Sequence, residues 1–203
     1  MKVLFVGGFL GSGKTTIINR LIRCMADQGL RTAIVENEIG EIGIDAAILG
    51  DGKARITALN GGCVCCELFG NLLDAIGDVR TQIDPDWLII ETTGLAMLDS
   101  IKTNYEKYGS AEIPFYLVAV ADCARFELLW DVITPLLIGQ LASADIVLLS
   151  KTDMAAPTEH LQKIIAETAS EAQILDVSKT ADSDIWSAID TILKGRAPHV
   201  GTR

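Results

Sequence analysis

The sequence has no excess of positive charge and no basic block: its 203 residues carry 17 Lys and Arg against 27 Asp and Glu, a formal net charge of −10. A protein that neutralises a nucleic-acid backbone needs clustered cations, so DNA and RNA are not expected partners. No apolar run is long enough to cross a bilayer, which leaves no membrane partner to expect. The N-terminal apolar stretch runs into glycines and Lys14 instead of a cleavage site, so it does not read as a signal peptide, and the expected location is the cytoplasm. Histidine is scarce, with only His160 and His199, far apart; a His-rich metal-storage tract is therefore not expected. There is no internal repeat and no low-complexity tract.

What is present suits one globular domain. At 49% hydrophobic content the chain can bury one good core and is too short for two ordinary domains. Apolar, β-rich runs at 3–6, 32–35, 87–90, 115–120, 146–149 and 174–177 read as strands, and their lack of polar alternation predicts burial on both faces. Amphipathic stretches at 15–27, 68–82, 125–141, 159–171 and 185–193 supply the crossovers of a mostly parallel sheet. The expected fold class is α/β, a three-layer domain with helices flanking the sheet. Two regions break the rhythm: 37–53, rich in Gly, Glu and Asp, and 60–67, which follows a short strand at 55–59. The organisation expected is a domain over 1–194 with an inserted loop at about 37–66, then a frayed tail at 195–203.

The segment Gly8-Phe9-Leu10-Gly11-Ser12-Gly13-Lys14-Thr15 fits the G-x-x-x-x-G-K-[ST] pattern, after a strand and opening a helix, which makes the domain a P-loop NTPase. Gly8, Gly11, Ser12 and Gly13 let successive backbone N–H groups turn inward on phosphate oxygens, and the helix N-terminus at Thr15 and Thr16 adds its positive end. Lys14 is expected on the β- and γ-phosphates and the Thr15 hydroxyl on Mg²⁺. Trp87-Leu88-Ile89-Ile90-Glu91-Thr92-Thr93-Gly94 is an apolar strand ending in a carboxylate, the Walker B arrangement. Glu91 would stand in the Mg²⁺ shell, and the Gly94 N–H would sense the γ-phosphate.

The base is read farther on. Ser150-Lys151-Thr152-Asp153 follows a strand and resembles the Asn-Lys-x-Asp guanine motif with Ser for Asn. The Asp153 carboxylate can accept from both guanine N1–H and the 2-amino group, and adenine offers no such donor pair. GTP and GDP are the expected ligands. Lys151 would lie over the base or brace the P-loop, Ser150 reaches less far than Asn, and Ser178 and Lys179 follow the last strand, where a backbone N–H meets the guanine oxygen.

Five cysteines cannot all pair, and Cys63, Cys65 and Cys66 crowd into four positions, the spacing of thiolate ligands and not of a disulfide framework. Zn²⁺, Co²⁺, Ni²⁺ and Cu⁺ all suit them. Cys24 and Cys123 lie among apolar residues and read as buried small hydrophobes. A tetrahedral site needs a fourth donor, and Val35-Glu36-Asn37-Glu38-Ile39-Gly40-Glu41 offers three carboxylates where a switch loop would lie. Glu38 is the candidate water-positioning group, and with no Gln or Arg finger in place slow intrinsic hydrolysis is expected.

Together these motifs, with Gly7 to Thr16, Glu36 to Glu41, Gly61 to Cys66, Glu91 to Leu95 and Ser150 to Asp153, resemble the CobW-like GTPases, relatives of HypB and UreG. The resemblance spans nearly the whole chain. It implies a GTPase coupled to loading or release of a transition metal, with ligands drawn from Cys63, Cys65, Cys66, Glu36 and Glu41. It also implies a client metalloprotein or corrinoid-related partner and a nucleotide- or metal-dependent homodimer. On that resemblance the 203 residues are expected to correspond to the GTPase domain alone, without the C-terminal domain of many relatives. Two other readings remain: a metal- or redox-sensing switch that binds a partner protein, and a P-loop kinase or ATPase. The kinase reading predicts an Arg-rich lid that no loop carries, and Asp153 argues against ATP.

Overall fold

The computed structural model describes residues 1–36, 54–56 and 66–203. Among them, β1 (Lys2–Gly7), α1 (Lys14–Asp27), β2 (Thr32–Glu36), β3 (Ala54–Ile56), α2 (Cys66–Gln82), β4 (Trp87–Glu91) and α3 (Leu98–Tyr108) lead into β5 (Phe115–Asp122), α4 (Phe126–Leu141), β6 (Ile146–Ser150), α5 (Glu159–Thr168), β7 (Gln173–Asp176) and α6 (Ile185–Lys194). The strands form one sheet in the order β3-β2-β4-β1-β5-β6-β7, with every strand pair parallel. The sheet confirms the three-layer P-loop fold expected from the motifs.

The period-2 alternation of side chains explains why apolar runs make this sheet. On β1, Val3 and Phe5 enter one core while Leu4 and Val6 enter the other, and β5 divides likewise, Leu117 on one side and Val118 on the other. α1 and α6 cover the second face through Ile18, Leu21, Trp186 and Ile189. α2, α3, α4 and α5 cover the first, where Phe5, Tyr105 and Phe115 pack with ring centroids 4.4–6.0 Å apart. Each fully buried side chain of this size contributes roughly 1.5–3 kcal/mol.

Two findings depart from the sequence reading. α3 was not expected; its segment is mostly polar, and only Leu98, Ile101 and Tyr105 reach the core. The tail at 195–203 is not frayed. Phe115 and His199 exchange both backbone hydrogen bonds as an antiparallel bridge, at 2.9 and 3.1 Å, Arg203 N donates to Gly109 O at 3.1 Å, and Gly201 is buried. The buried Asp145 carboxylate fixes it: its Oδ1 accepts from Arg196 Nε at 3.1 Å and lies 3.2 Å from His199 Nε2, while Oδ2 accepts from Leu117 N. The expected strand at 55–59 is described at 54–56, and the inserted loop expected at about 37–66 lies largely outside the described residues. Among the described residues no helix is long and apolar enough to cross a membrane.

Candidate functional site

The C-terminal ends of the parallel strands lie along one edge of the sheet, where β1 runs out at Gly7 and β4, β5, β6 and β7 close on the polar residues Glu91, Asp122, Ser150 and Asp176, and the site is built there. β1 runs into the P-loop, where Gly8, Gly11 and Gly13 have φ of 144°, 70° and 96°, left-handed conformations that favour glycine. This curl turns Lys14 back over the loop, with Nζ donating to Gly8 O at 2.8 Å and Phe9 O at 3.4 Å. Lys14 is buried, so its charge sits where phosphates would enter a poorly screened cradle. Thr15 and Thr16 are exposed on the first turn of α1.

Across the loop, Thr15 Oγ1 donates to Glu91 at 2.9 Å to Oε1 and 3.2 Å to Oε2. A hydroxyl and a carboxylate in contact at the phosphate end are the hard oxygen donors that Mg²⁺ takes, so the residues present fit a nucleotide–Mg²⁺ complex. Such a complex supplies charge neutralisation on the phosphates; the chain supplies the cradle, the hydroxyl and the carboxylate. Gly94 lies against Leu10, where an added Cβ would come within 2.5 Å of Leu10 Cγ and 2.8 Å of Leu10 N, so glycine is required for this approach. Its carbonyl accepts from the buried Gln140 Nε2 at 2.8 Å, a contact from α4 that the sequence reading missed.

β6 ends on the base motif. Ser150 Oγ donates to Ser12 O at 2.8 Å and lies 3.2 Å from Ala121 O, so the serine fastens the P-loop despite its short reach. Lys151, at φ 58°, donates from Nζ to Gly11 O at 2.8 Å, which selects bracing over stacking on the base in this structure. Asp153 is exposed, with no side-chain hydrogen bond to a described residue. Ser178 Oγ accepts from Thr152 N at 3.2 Å, and Lys179 pairs with Asp176 at 2.9 Å. Burial opposes ionisation of Asp176, but hydrogen bonds from Thr152 and Lys179 outweigh it and hold the carboxyl below the usual aspartate range.

Of the metal candidates, Glu36 closes β2 and Cys66 opens α2; Glu38, Glu41, Cys63 and Cys65 lie outside the described residues. Glu36 is the register partner of Glu91 on the adjacent parallel strand. Among the described residues no three His, Cys, Asp or Glu side chains converge on a metal-sized site. Cys24 and Cys123 are buried, as expected. Burial, then Asp176 and Asp122, push the Cys123 thiol up to about 11, so it stays protonated at neutral pH and is a poor ligand.

A family model described as "CobW/HypB/UreG, nucleotide-binding domain" matches residues 2–176. The chain belongs to this family. The zinc chaperone YjiA of Escherichia coli (strain K12) is 30% identical over 199 residues, covering 94% of this chain and 61% of that protein. The zinc chaperone CobW of Pseudomonas aeruginosa is 32% identical over 206 residues, covering 84% of this chain and 54% of that protein. A solved structure of the Zn(II)-bound YjiA GTPase from E. coli superposes with a TM-score of 0.64 at 27% identity, covering 89% of this chain and 58% of that one. The chain thus spans less than two thirds of these relatives.

Proposed function

We propose that this member of the CobW/HypB/UreG family is a Mg²⁺-dependent GTPase whose nucleotide state governs binding and delivery of a Zn²⁺-like transition metal to a client protein in the cytoplasm. The observation that carries the reading is the register of β2 and β4: Glu36, a candidate metal ligand, pairs with Glu91, whose carboxylate accepts the Thr15 hydroxyl at the phosphate end of the cradle. Neighbouring strands lie about 4.8 Å apart, so this register brings the end of β2 next to the residue that accepts the Thr15 hydroxyl. The zinc chaperone names of YjiA and CobW support zinc over cobalt or nickel. Hydrolysis would use Lys14 and Glu91 with Glu38 orienting water, the metal site Cys63, Cys65, Cys66, Glu36 and Glu41, and the active form would be a homodimer.

Guanine selectivity follows from Asp153, which stands exposed beyond the two residues that hold Ser12 and Gly11. Calorimetry on the native chain should show GTP and GDP binding with ATP and ADP at least about 100-fold weaker, since a lost charged hydrogen bond costs about 1.5–3 kcal/mol and two are at stake. Asp153→Asn should remove most of that difference by turning one acceptor into a donor. Equal affinity of the native protein for GTP and ATP would sink the guanine assignment.

A further inference from the structure

The P-loop is gripped from outside as well as formed from within. In a loop whose N–H groups point inward, carbonyls point outward and need donors there. Three consecutive carbonyls find them: Leu10 O accepts from Arg125 Nη2 at 2.7 Å, Gly11 O from Lys151 Nζ at 2.8 Å and Ser12 O from Ser150 Oγ at 2.8 Å. Both cations return to one carboxylate oxygen, with Asp122 Oδ2 2.6 Å from Arg125 Nε and 2.7 Å from Lys151 Nζ. Asp122 Oδ1 accepts from Ala124 N at 3.1 Å, so each carboxylate oxygen is engaged. The side chain of Asp122 is 2% exposed, whereas those of Arg125 and Lys151 are 36% and 30% exposed. Asp122 is the last residue of β5 and the register partner of Ser150, so the sheet itself aligns the carboxylate with the base motif.

We propose that Asp122 is a positioning residue that, by tethering Arg125 and Lys151 to the Leu10 and Gly11 carbonyls, presets the phosphate cradle before nucleotide arrives and ties it to base recognition. Asp122 is too buried to meet a ligand, so it acts only through the two cations. Each cation is divalent in use: its charge is neutralised on Asp122 and a second N–H is spent on a loop carbonyl. Without the carboxylate, both side chains are exposed enough to turn into water, and the loop carbonyls exchange fixed cationic donors for mobile solvent. The cradle then has to be ordered at the expense of binding, which lowers affinity without any lost contact to the nucleotide. Burial opposes ionisation of Asp122, yet the hydrogen bonds from Lys151 and Arg125 outweigh it and hold its carboxyl below the usual aspartate range, so the tether persists at neutral pH.

The proposal rests on this site being a nucleotide cradle and not on which base it reads. The test compares native protein, Asp122→Asn, Arg125→Ala and the double variant by calorimetry with GDP and ADP in Mg²⁺, with hydrogen exchange of the nucleotide-free chains. Asp122→Asn should raise the GDP Kd about tenfold or more, Arg125→Ala less, and the double variant no further than Asp122→Asn alone, because Arg125 works through Asp122. Exchange should accelerate in residues 8–13 and stay native in α6, a local signature that general destabilisation would not give. Arg125→Ala removes a partly exposed side chain and keeps the test valid if Asp122→Asn fails to fold. Native preference for ADP would defeat the guanine reading and leave the role of Asp122 standing. Native GDP affinity and native P-loop exchange in Arg125→Ala and in any folded Asp122→Asn protein would overturn the proposal and leave the guanine reading intact.

Discussion

Lys14→Ala should abolish measurable nucleotide binding while leaving the nucleotide-free fold intact. Lys14 is buried, with its ammonium on the Gly8 and Phe9 carbonyls, 2.8 and 3.4 Å away. Burying an ammonium is costly, which offsets part of what its contacts contribute to the nucleotide-free chain, and the curl of the loop comes from glycines at positive φ. With nucleotide the balance reverses, because the same group would meet two phosphates through charge-assisted hydrogen bonds of about 1.5–3 kcal/mol each, so binding should weaken by roughly 10²- to 10⁴-fold. Differential scanning calorimetry separates the two effects. The native protein at 100 times its Kd should gain about 2.7 kcal/mol from GDP, and the variant at the same GDP concentration at most about 0.4 kcal/mol while its own Tm stays close to native. A native-sized ligand shift in Lys14→Ala would mean that the lysine is structural.

The six expected strands are present, each starting or ending within two residues of expectation; five are buried as their apolar runs imply, whereas β7, at the edge of the sheet, leaves Gln173 and Ile174 exposed. What the apolar count clipped were the polar strand ends. Glu91 closes an apolar strand shortly before a glycine and is legible by that motif, whereas Asp122 closes Phe115–Asp122 with no motif to flag it. Arg125 and Gln140 could not be assigned because what they hold, the Leu10 and Gly94 carbonyls, is 115 and 46 residues away, and backbone acceptors leave no trace in side-chain identity. α3 was missed for a different reason: three core residues in eleven are enough for a helix on a crowded face and too few to stand out as a periodic pattern. The tail read as frayed because Arg196 and His199 look like solvated residues until Asp145, 51 and 54 residues earlier, is seen beneath them.

The metal and the nucleotide should bind with a coupling of roughly 5- to 150-fold, about 1–3 kcal/mol. Glu36 is the last residue of β2 and stands in register with Glu91, while Cys66 is the first residue of α2, so the segment that carries the other candidate ligands is tied at one end to the strand beside Glu91. Engagement of Thr15 and Glu91 by a γ-phosphate and Mg²⁺ is expected to shift Glu36, the register partner of Glu91, relative to the rest of the candidate ligand set, and a ligand set with two geometries has two affinities. Linkage makes the effect reciprocal: whichever nucleotide tightens Zn²⁺ must itself be tightened by Zn²⁺ to the same degree. Competition titrations against a chromophoric chelator, run with GDP and then with a non-hydrolysable GTP analogue, measure the first direction, and nucleotide titrations with and without Zn²⁺ measure the second. Because thiolates must lose protons to ligate, metal affinity should fall steeply as pH drops below neutral, while Cys24 and Cys123, both buried, contribute nothing. Changing Cys63, Cys65 and Cys66 to serine should eliminate the high-affinity site and leave GDP binding in the absence of metal unaltered. Equal Zn²⁺ affinity in the two nucleotide states would break the link between the sites, and undiminished binding by the triple serine variant would move the metal away from this loop altogether.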